Sequence, residues 1–329
     1  MSGKSTKSVK LVVQLAACAF TGLCLLRAEA AYPEKPITLI VPYSPGGMGS
    51  VFGNLVSEAI APGLKQPVIV DYRPGANGGL GAGQVAKATA DGYTLLMAVN
   101  STMAVNPALY PHVPYDPVRD FAPVAMVWSS ANVLVVNAGS PYKTLQDLIT
   151  AARQSPGKLS FGSSGIGATT HLSGEMFNQI ARVSTTHIPY KGIGPAITGL
   201  LGNQVDFVFS DTSVLPFISS GKLRALAVTS EQRLSVLPEV ATMQQAGLKD
   251  FVVSTWYSVV APAGTPSEVI ATLNREITRA VQDPLVRAHM KAIAVDPAGD
   301  TSAAYLAGVI RSDLNKWRLF ISATGIKPE

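Results

Sequence analysis

Short runs that stay apolar from residue to residue, without alternating, recur along the chain at helical intervals. They fall at 37–41, 68–70, 94–98, 133–136, 159–161, 186–188, 207–209, 226–228 and 259–261. Such runs read as strands covered on both faces, and the lengths between them suit helices. Helix signals fill those lengths. Thr144 with Asp147 forms a capping box ahead of Leu145, Leu148 and Ile149, and Ser155-Pro156-Gly157 stops the segment. Thr265-Pro266-Ser267-Glu268 predicts another start, with proline at the first helical position and Ile270, Leu273, Ile277 and Val281 on one face. A last helix opening at Thr301 keeps Leu306, Ile310, Leu314, Trp317 and Ile321 on a stripe. These elements predict an α/β fold with mostly parallel sheets flanked by helices.

Two segments read as crossings between lobes. One is 124–131, which loses its apolar pattern at Ser129-Ser130; the other is 252–258, where Trp256 and Tyr257 sit inside an extended run. No Pro/Ser linker separates the halves. The expected division is a discontinuous first lobe, 32–128 plus 258–329, and an inserted second lobe, 129–257. Both C-terminal helices return to the first lobe, and a ligand cleft lies at the boundary.

The first thirty residues change the composition. Lys4, Lys7 and Lys10 precede an apolar stretch at 11–26, and Ala28-Glu29-Ala30 offers small residues for cleavage, so residues 1–30 read as a signal peptide. The stretch is shorter than the ~20 residues of a membrane span. Leu15-Ala16-Ala17-Cys18 resembles a lipoprotein box, but few apolar residues precede it, and simple export is preferred. Cleavage removes both cysteines, Cys18 and Cys24, and takes the formal charge from +5 to +2. A basic surface for nucleic acid is then unsupported.

Candidate chemistry lies in two turns. The first strand empties into Pro42-Tyr43-Ser44-Pro45-Gly46-Gly47, and the run at 159–161 into Gly162-Ser163-Ser164-Gly165-Ile166-Gly167-Ala168-Thr169-Thr170-His171. Each leaves backbone N–H groups and a helix N-terminus aimed at one point, which suits an anion. A carboxylate only accepts hydrogen bonds, so N–H groups and hydroxyls satisfy it without a cation. Duller roles compete. Asn77-Gly78 makes a turn with or without a ligand, Ser163 and Thr169 are potential helix caps, and His171 suits a buried, satisfied site. Lys191 suits solvent. Asp211 either caps the next helix or accepts from a ligand amino or hydroxyl group. Trp256 and Tyr257 serve equally as hinge packing or as an apolar wall.

Enzyme classes find little support. Gly162-Ser163-Ser164-Gly165-Ile166 lacks the last glycine of a nucleophile elbow, and no histidine stands beside a serine in sequence. Metal-ligand spacing, a phosphate loop and a full dinucleotide fingerprint are all missing, so no metal or cofactor is expected.

A series of motifs resembles one family along the whole body of the chain. They begin with Tyr32-Pro33-Glu34-Lys35-Pro36-Ile37 and Pro45-Gly46-Gly47, then Arg73-Pro74-Gly75-Ala76-Asn77-Gly78-Gly79 and Asp91-Gly92-Tyr93-Thr94-Leu95-Leu96. Asn106-Pro107-Ala108-Leu109-Tyr110, Pro114-Tyr115-Asp116-Pro117, Pro189-Tyr190-Lys191-Gly192 and Gly221-Lys222-Leu223-Arg224-Ala225-Leu226-Ala227 follow, closing with Ala261-Pro262-Ala263-Gly264-Thr265-Pro266. The family is that of the substrate-binding proteins of tripartite tricarboxylate transporters, the Bug family. The resemblance implies a periplasmic two-lobed binding protein. It would close on a small organic acid, a dicarboxylate or an aromatic or aliphatic acid, and serve membrane permease subunits or, in some members, a sensor; a monomer is the default for such a periplasmic shuttle. It also implies a ligand carboxylate at the turns matching 44–47 and 163–169.

The resulting candidate ligand-binding set is Tyr43, Ser44, Pro45, Gly46, Gly47, Met48, Asn77, Ser101, Thr102, Ser163, Ser164, Gly165, Ala168, Thr169, His171, Tyr190, Lys191, Asp211 and Tyr257. Two departures bear on the ligand. Met48-Gly49-Ser50 stands where a threonine-aspartate pair is common, and Met103 where histidine is frequent. Both point to a plain carboxylate with a hydrophobic or aromatic body, gripped in a softened apolar cleft.

Overall fold

The structure, a computed structural model, describes residues 32–43, 45, 48–293 and 295–327. The segment read as a signal peptide lies outside them. Among the described residues, eleven strands form two sheets. The first has the order β11-β4-β10-β3-β1-β2, with β1 at Ile37–Val41, β2 at Val68–Tyr72, β3 at Thr94–Val99, β4 at Phe121–Ala131, β10 at Ser254–Pro262 and β11 at Asp296–Pro297. The second runs β7-β6-β8-β5-β9, from β5 at Val133–Asn137, β6 at Ser160–Ser163, β7 at Thr186–Pro189, β8 at Phe207–Ser210 and β9 at Leu223–Val228. Helices cover both sheets, giving two α/β lobes.

The sheets are mixed, not mostly parallel. β1 pairs parallel with β2 and β3, and β6 with β7 and β8; β10 pairs antiparallel with β3 and β4, as does β5 with β8 and β9. The reason is the double crossing. β4 runs out of the first sheet and becomes β5 after one residue, Asn132, while β10 brings the chain back beside β4. Strands that leave and return must run opposite ways. Thr229 stitches the crossing points, accepting from the Asn132 N–H at 2.9 Å and donating its hydroxyl to the Val253 carbonyl.

Among the described residues there are ten α-helices, numbered in chain order. In the first half come α1 (Met48–Leu64), α2 (Gly79–Val85), α3 (Asn106–Leu109), α4 (Leu145–Gln154) and α5 (Thr169–Ala181). The second half has α6 (Ile193–Leu201), α7 (Leu215–Ser219), α8 (Ser267–Gln282), α9 (Pro284–Ala292) and α10 (Ala303–Thr324). The capping box of α4 is present in full, each partner bonding the other's backbone N–H. Two starts shift. Pro266 is the cap of α8 and Ser267 its first residue; α10 begins at Ala303, capped by the Ser302 hydroxyl, not at Thr301.

The last helix does not stay with the first lobe. Leu306 and Ile310 pack with Met103, Phe121 and Trp256 under the first sheet. Leu314, Trp317, Phe320 and Ile321 join Phe177, Phe207 and Phe209 in the core of the second. One amphipathic stripe therefore spans both lobes, and Lys316 adds a bond from its ammonium to the Val252 carbonyl at 2.7 Å.

Candidate functional site

A cleft of about 370 Å³ lies between the lobes. From the first lobe come Tyr43, Met48, Gly49 and Phe52 at the head of α1, with Asn77, Val99, Asn100, Ser101 and the β10 residues Thr255 and Tyr257. From the second come Ser164, Ala168, Thr169 and Thr170 at the head of α5, with Gly192 and Asp211. Ser130 and Asn132 line it from the crossing itself. Strand alternation sorts the crossing residues. Thr255 and Tyr257 face the cleft, whereas Trp256 points behind β10, where its indole N–H donates to Asp313 at 2.6 Å.

Two helices thus open on one cavity from opposite lobes. The first-turn N–H groups of each have no intrahelical acceptor, and the helix dipole adds partial positive charge there. The side walls supply hydroxyls and amides. Among the described residues no Lys, Arg or His lines the cleft, and Asp211 is its only carboxylate. Tyr43 meets the Ser101 hydroxyl at 2.7 Å, and Tyr257 lies edge-on to Phe52 with centroids 4.3 Å apart. Burial pushes both phenols well above their usual range, so they act as neutral hydrogen-bonding groups.

The glycine-serine turn behaves differently from expectation. Its N–H groups are turned inward: Ser164 N–H donates to Thr170 Oγ1 at 2.9 Å, Gly165 N–H to Ser163 Oγ at 3.1 Å, Gly167 N–H to His171 Nδ1 at 3.2 Å, and Ala168 N–H to the Gly165 carbonyl. Gly165 and Gly167 take positive φ, 128° and 77°, which this tight inward fold requires. The turn is a scaffold. What it presents to the cleft is the start of α5 and the hydroxyls of Ser164, Thr169 and Thr170.

Of the predicted residues, Tyr43, Met48, Asn77, Ser101, Ser164, Ala168, Thr169, Asp211 and Tyr257 come together on the cleft. Ser44, Gly46 and Gly47 lie outside the described residues. The others stand elsewhere. Pro45 is exposed, and Thr102 is buried with its hydroxyl on the Val99 backbone. Ser163, Gly165 and His171 lie beneath the α5 turn. Tyr190 leans on Gly162 and Gly199, and Lys191 is exposed beside the lining residue Gly192. Met103 is wholly buried in the first-lobe core, so it cannot soften the cleft. Missed were Gly49, Phe52, Val99, Asn100, Ser130, Asn132, Thr170, Gly192 and Thr255. Ser130 and Thr255 were legible as polar breaks in the two crossing runs; Phe52 and Val99 look like ordinary core.

A histidine does stand beside a serine. Ser163 Oγ lies 2.6 Å from His187 Nε2, and His187 stacks on His171 at 4.0 Å and on Phe161 at 4.9 Å. Ser163 is fully buried and absent from the cleft wall, so no substrate carbonyl reaches its hydroxyl. His171 accepts through Nδ1, which leaves its proton on Nε2, 3.7 Å from Glu175. Desolvation, aided by His171, holds the His187 imidazole down to about 4, so it is neutral near pH 7. The cluster braces the turn.

Two further cavities lie away from the helix heads. One, of about 550 Å³, backs onto Trp256, Tyr305 and Asp313; the other, of about 470 Å³, has Arg287 and Lys291 on its rim.

The chain is similar to known proteins over nearly its whole length. Residues 53–326 match the family described as Tripartite tricarboxylate transporter family receptor. Protein BugT of Bordetella pertussis is 37% identical over 313 residues, covering 94% of this chain and 95% of BugT. The solved structure of R. palustris Rpa4515 with adipate is 30% identical with a TM-score of 0.81, covering 91% of this chain and 100% of that one. MatC from Rhodopseudomonas palustris with bound malate is 29% identical with a TM-score of 0.78, covering 88% and 100%. With two lobes and a match over nearly its whole length, the chain belongs to the tripartite tricarboxylate transporter family of receptors.

Proposed function

We propose that this protein is an exported, periplasmic solute-binding protein. It captures the carboxylate of a small organic acid between its lobes and hands the acid, as a monomer, to the membrane permease of a tripartite transporter. The observation that carries this reading is the convergence of two helix N-termini, at Met48 and Thr169, on one cleft whose described lining has no cationic side chain. Each helix end contributes roughly 0.3–1 kcal/mol per charge, and up to ~2 when partly buried. Charge-assisted hydrogen bonds add to this, so the roughly −8 kcal/mol of micromolar binding is within reach. The adipate and malate seen in the two relatives support an organic acid as ligand.

The first lobe is assigned to the six-stranded sheet, the second to the five-stranded sheet, with Asn132 and Val253 at the two hinges and α10 as a shared brace. A ligand bridging both helix heads favours the closed arrangement, because it binds that state better than the open one. Thermal melting against a panel of acids tests the reading. Ligand at a hundred times Kd adds ~2.7 kcal/mol, so a binding acid raises the melting temperature while its methyl ester does not. Equal response to acid and ester contradicts it. Mass spectrometry of the exported protein checks removal of residues 1–30.

A further inference from the structure

The cleft and the cavity of about 550 Å³ lie on opposite faces of the same two strands. On β10, Thr255 and Tyr257 line the cleft, while Ser254 and Trp256 line the cavity. On β4, Ser130 lines the cleft and Ser129 the cavity. Neighbours along a strand point to opposite sides, so the ribbon that joins the lobes is also the partition between the two spaces.

The cavity has one wall from each lobe. Residues 230–233 and Ser235, which follow β9, form the second-lobe wall; Gly299 and the α10 residues Tyr305, Val309 and Asp313 form the first-lobe wall. Each wall is tied to its own lobe. Arg233 donates to Gln245 Oε1 at 2.8 Å and to the Pro238 carbonyl at 2.9 Å, and Leu234 is buried in the core of the second sheet. Opposite, Leu306 and Ile310 anchor α10 under the first sheet, and Asp313 holds the Trp256 indole. Among the described residues no hydrogen bond or ion pair joins one wall to the other.

Spaces on opposite sides of a joining ribbon change in opposite senses when the lobes rotate about it. Closing the cleft parts the walls behind, and opening it brings them together. Bulk lodged between those walls therefore penalises the open arrangement and spares the closed one. Apparent affinity scales with the fraction of the binding-competent state, so every ligand of the cleft gains by the same factor.

We propose that the cavity behind the crossing strands sets the balance between open and closed arrangements, and through it the affinity of the cleft, whichever acid is bound. This rests on capture by lobe closure, as proposed above.

Wedges placed from either wall test it. Gly299 lines the cavity, and a Cβ there would meet no atom within 4 Å, so Gly299→Trp adds a ring without displacing the backbone. Ser235→Trp does the same from the exposed second-lobe wall. Calorimetric titration with adipate, malate and benzoate should show each wedge tightening every acid that binds by roughly three- to tenfold, with their order unchanged. Gly299→Ala and Ser235→Ala, too small to prop the walls apart, should stay within about twofold of the native protein. Small-angle scattering of the unliganded wedge variants should move towards the dimensions of the native protein with acid bound. Unchanged or weaker binding in both wedge variants, at native melting temperature, overturns the inference and leaves acid capture standing. A shift that differs from acid to acid overturns it as well, since the ring would then be acting on the ligand. Failure of the native protein to bind any acid overturns both readings.

Discussion

The hydroxyls of Thr169 and Thr255 meet at 2.9 Å, one at the head of α5 in the second lobe and the other on the strand that re-enters the first. The contact is a latch across the cleft floor. It ties the two walls of the cleft together, so its worth should appear in ligand affinity. Thr169→Val or Thr255→Val should each cost about 0.5–1.5 kcal/mol, a few-fold in Kd. The double variant should cost little more than either single one, because the two residues share one bond. Titration of all four proteins with one binding acid checks this; additive losses would show that the hydroxyls act separately.

Packing behind the α5 turn has no slack. A Cβ at Gly174 would lie 2.1 Å from the Phe161 ring, which is buried between His187 and Phe207. Gly174→Ala should therefore destabilise the protein by about 1–3 kcal/mol in urea unfolding, more than helix propensity gains. Phe161→Leu in that background should recover part of the loss.

The stability of the second lobe should fall in mild acid. His187 titrates at about 4 in the folded protein and at its ordinary value near 6.5 when unfolded. Between these limits the unfolded chain holds more protons, so stability is full above pH 6.5 and is lost as pH falls towards 4. Because the ring keeps some contact with solvent, the change should be about 1–2 kcal/mol. His187→Asn should flatten this part of the pH profile; a profile unchanged by the substitution would assign the acid sensitivity elsewhere.

Behind the hinge, Asp313 accepts from the Trp256 indole at 2.6 Å while its carboxyl is pushed upward by desolvation, against the pull of Trp256 and Lys316. Its charge therefore does less than its role as acceptor. Asp313→Asn should stay within about 1 kcal/mol of the native stability, and Asp313→Ala should lose about 1–3 kcal/mol by stranding the buried N–H. Urea unfolding followed by tryptophan fluorescence separates the two.

What the sequence discloses divides along physical lines. β1 was readable to the residue, and the α4 capping box atom by atom, because both depend on neighbours in the chain. The starts of α8 and α10 slipped by one or two residues, since Thr265 and Thr301 offer hydroxyls as good for capping as those nearby. Thr265 instead donates to the Pro262 carbonyl. Long-range pairing hid the rest. His187 reaches Ser163 only because β6 and β7 lie parallel with Phe161 opposite His187, a register that nothing in either strand announces. The same distance hid the fate of the glycine turn. Its glycines were visible as a place for special backbone angles, but the acceptors of its N–H groups come from both sides, Thr170 and His171 on the following helix and Ser163 and Gly165 in the turn itself. For the cleft, the helix-head positions Met48, Ala168 and Thr169 were legible as sites, whereas Ser130 and Thr255 showed only as polar breaks in the crossing runs.

A crystal structure of the protein with a bound organic acid tests the central claim most directly. One carboxylate should sit within about 3 Å of the first-turn N–H groups at Thr169 and Thr170, with the start of α1 closing on it from the other lobe. A carboxylate paired instead with lysine or arginine, such as Arg287 and Lys291 at the distant cavity, would contradict it.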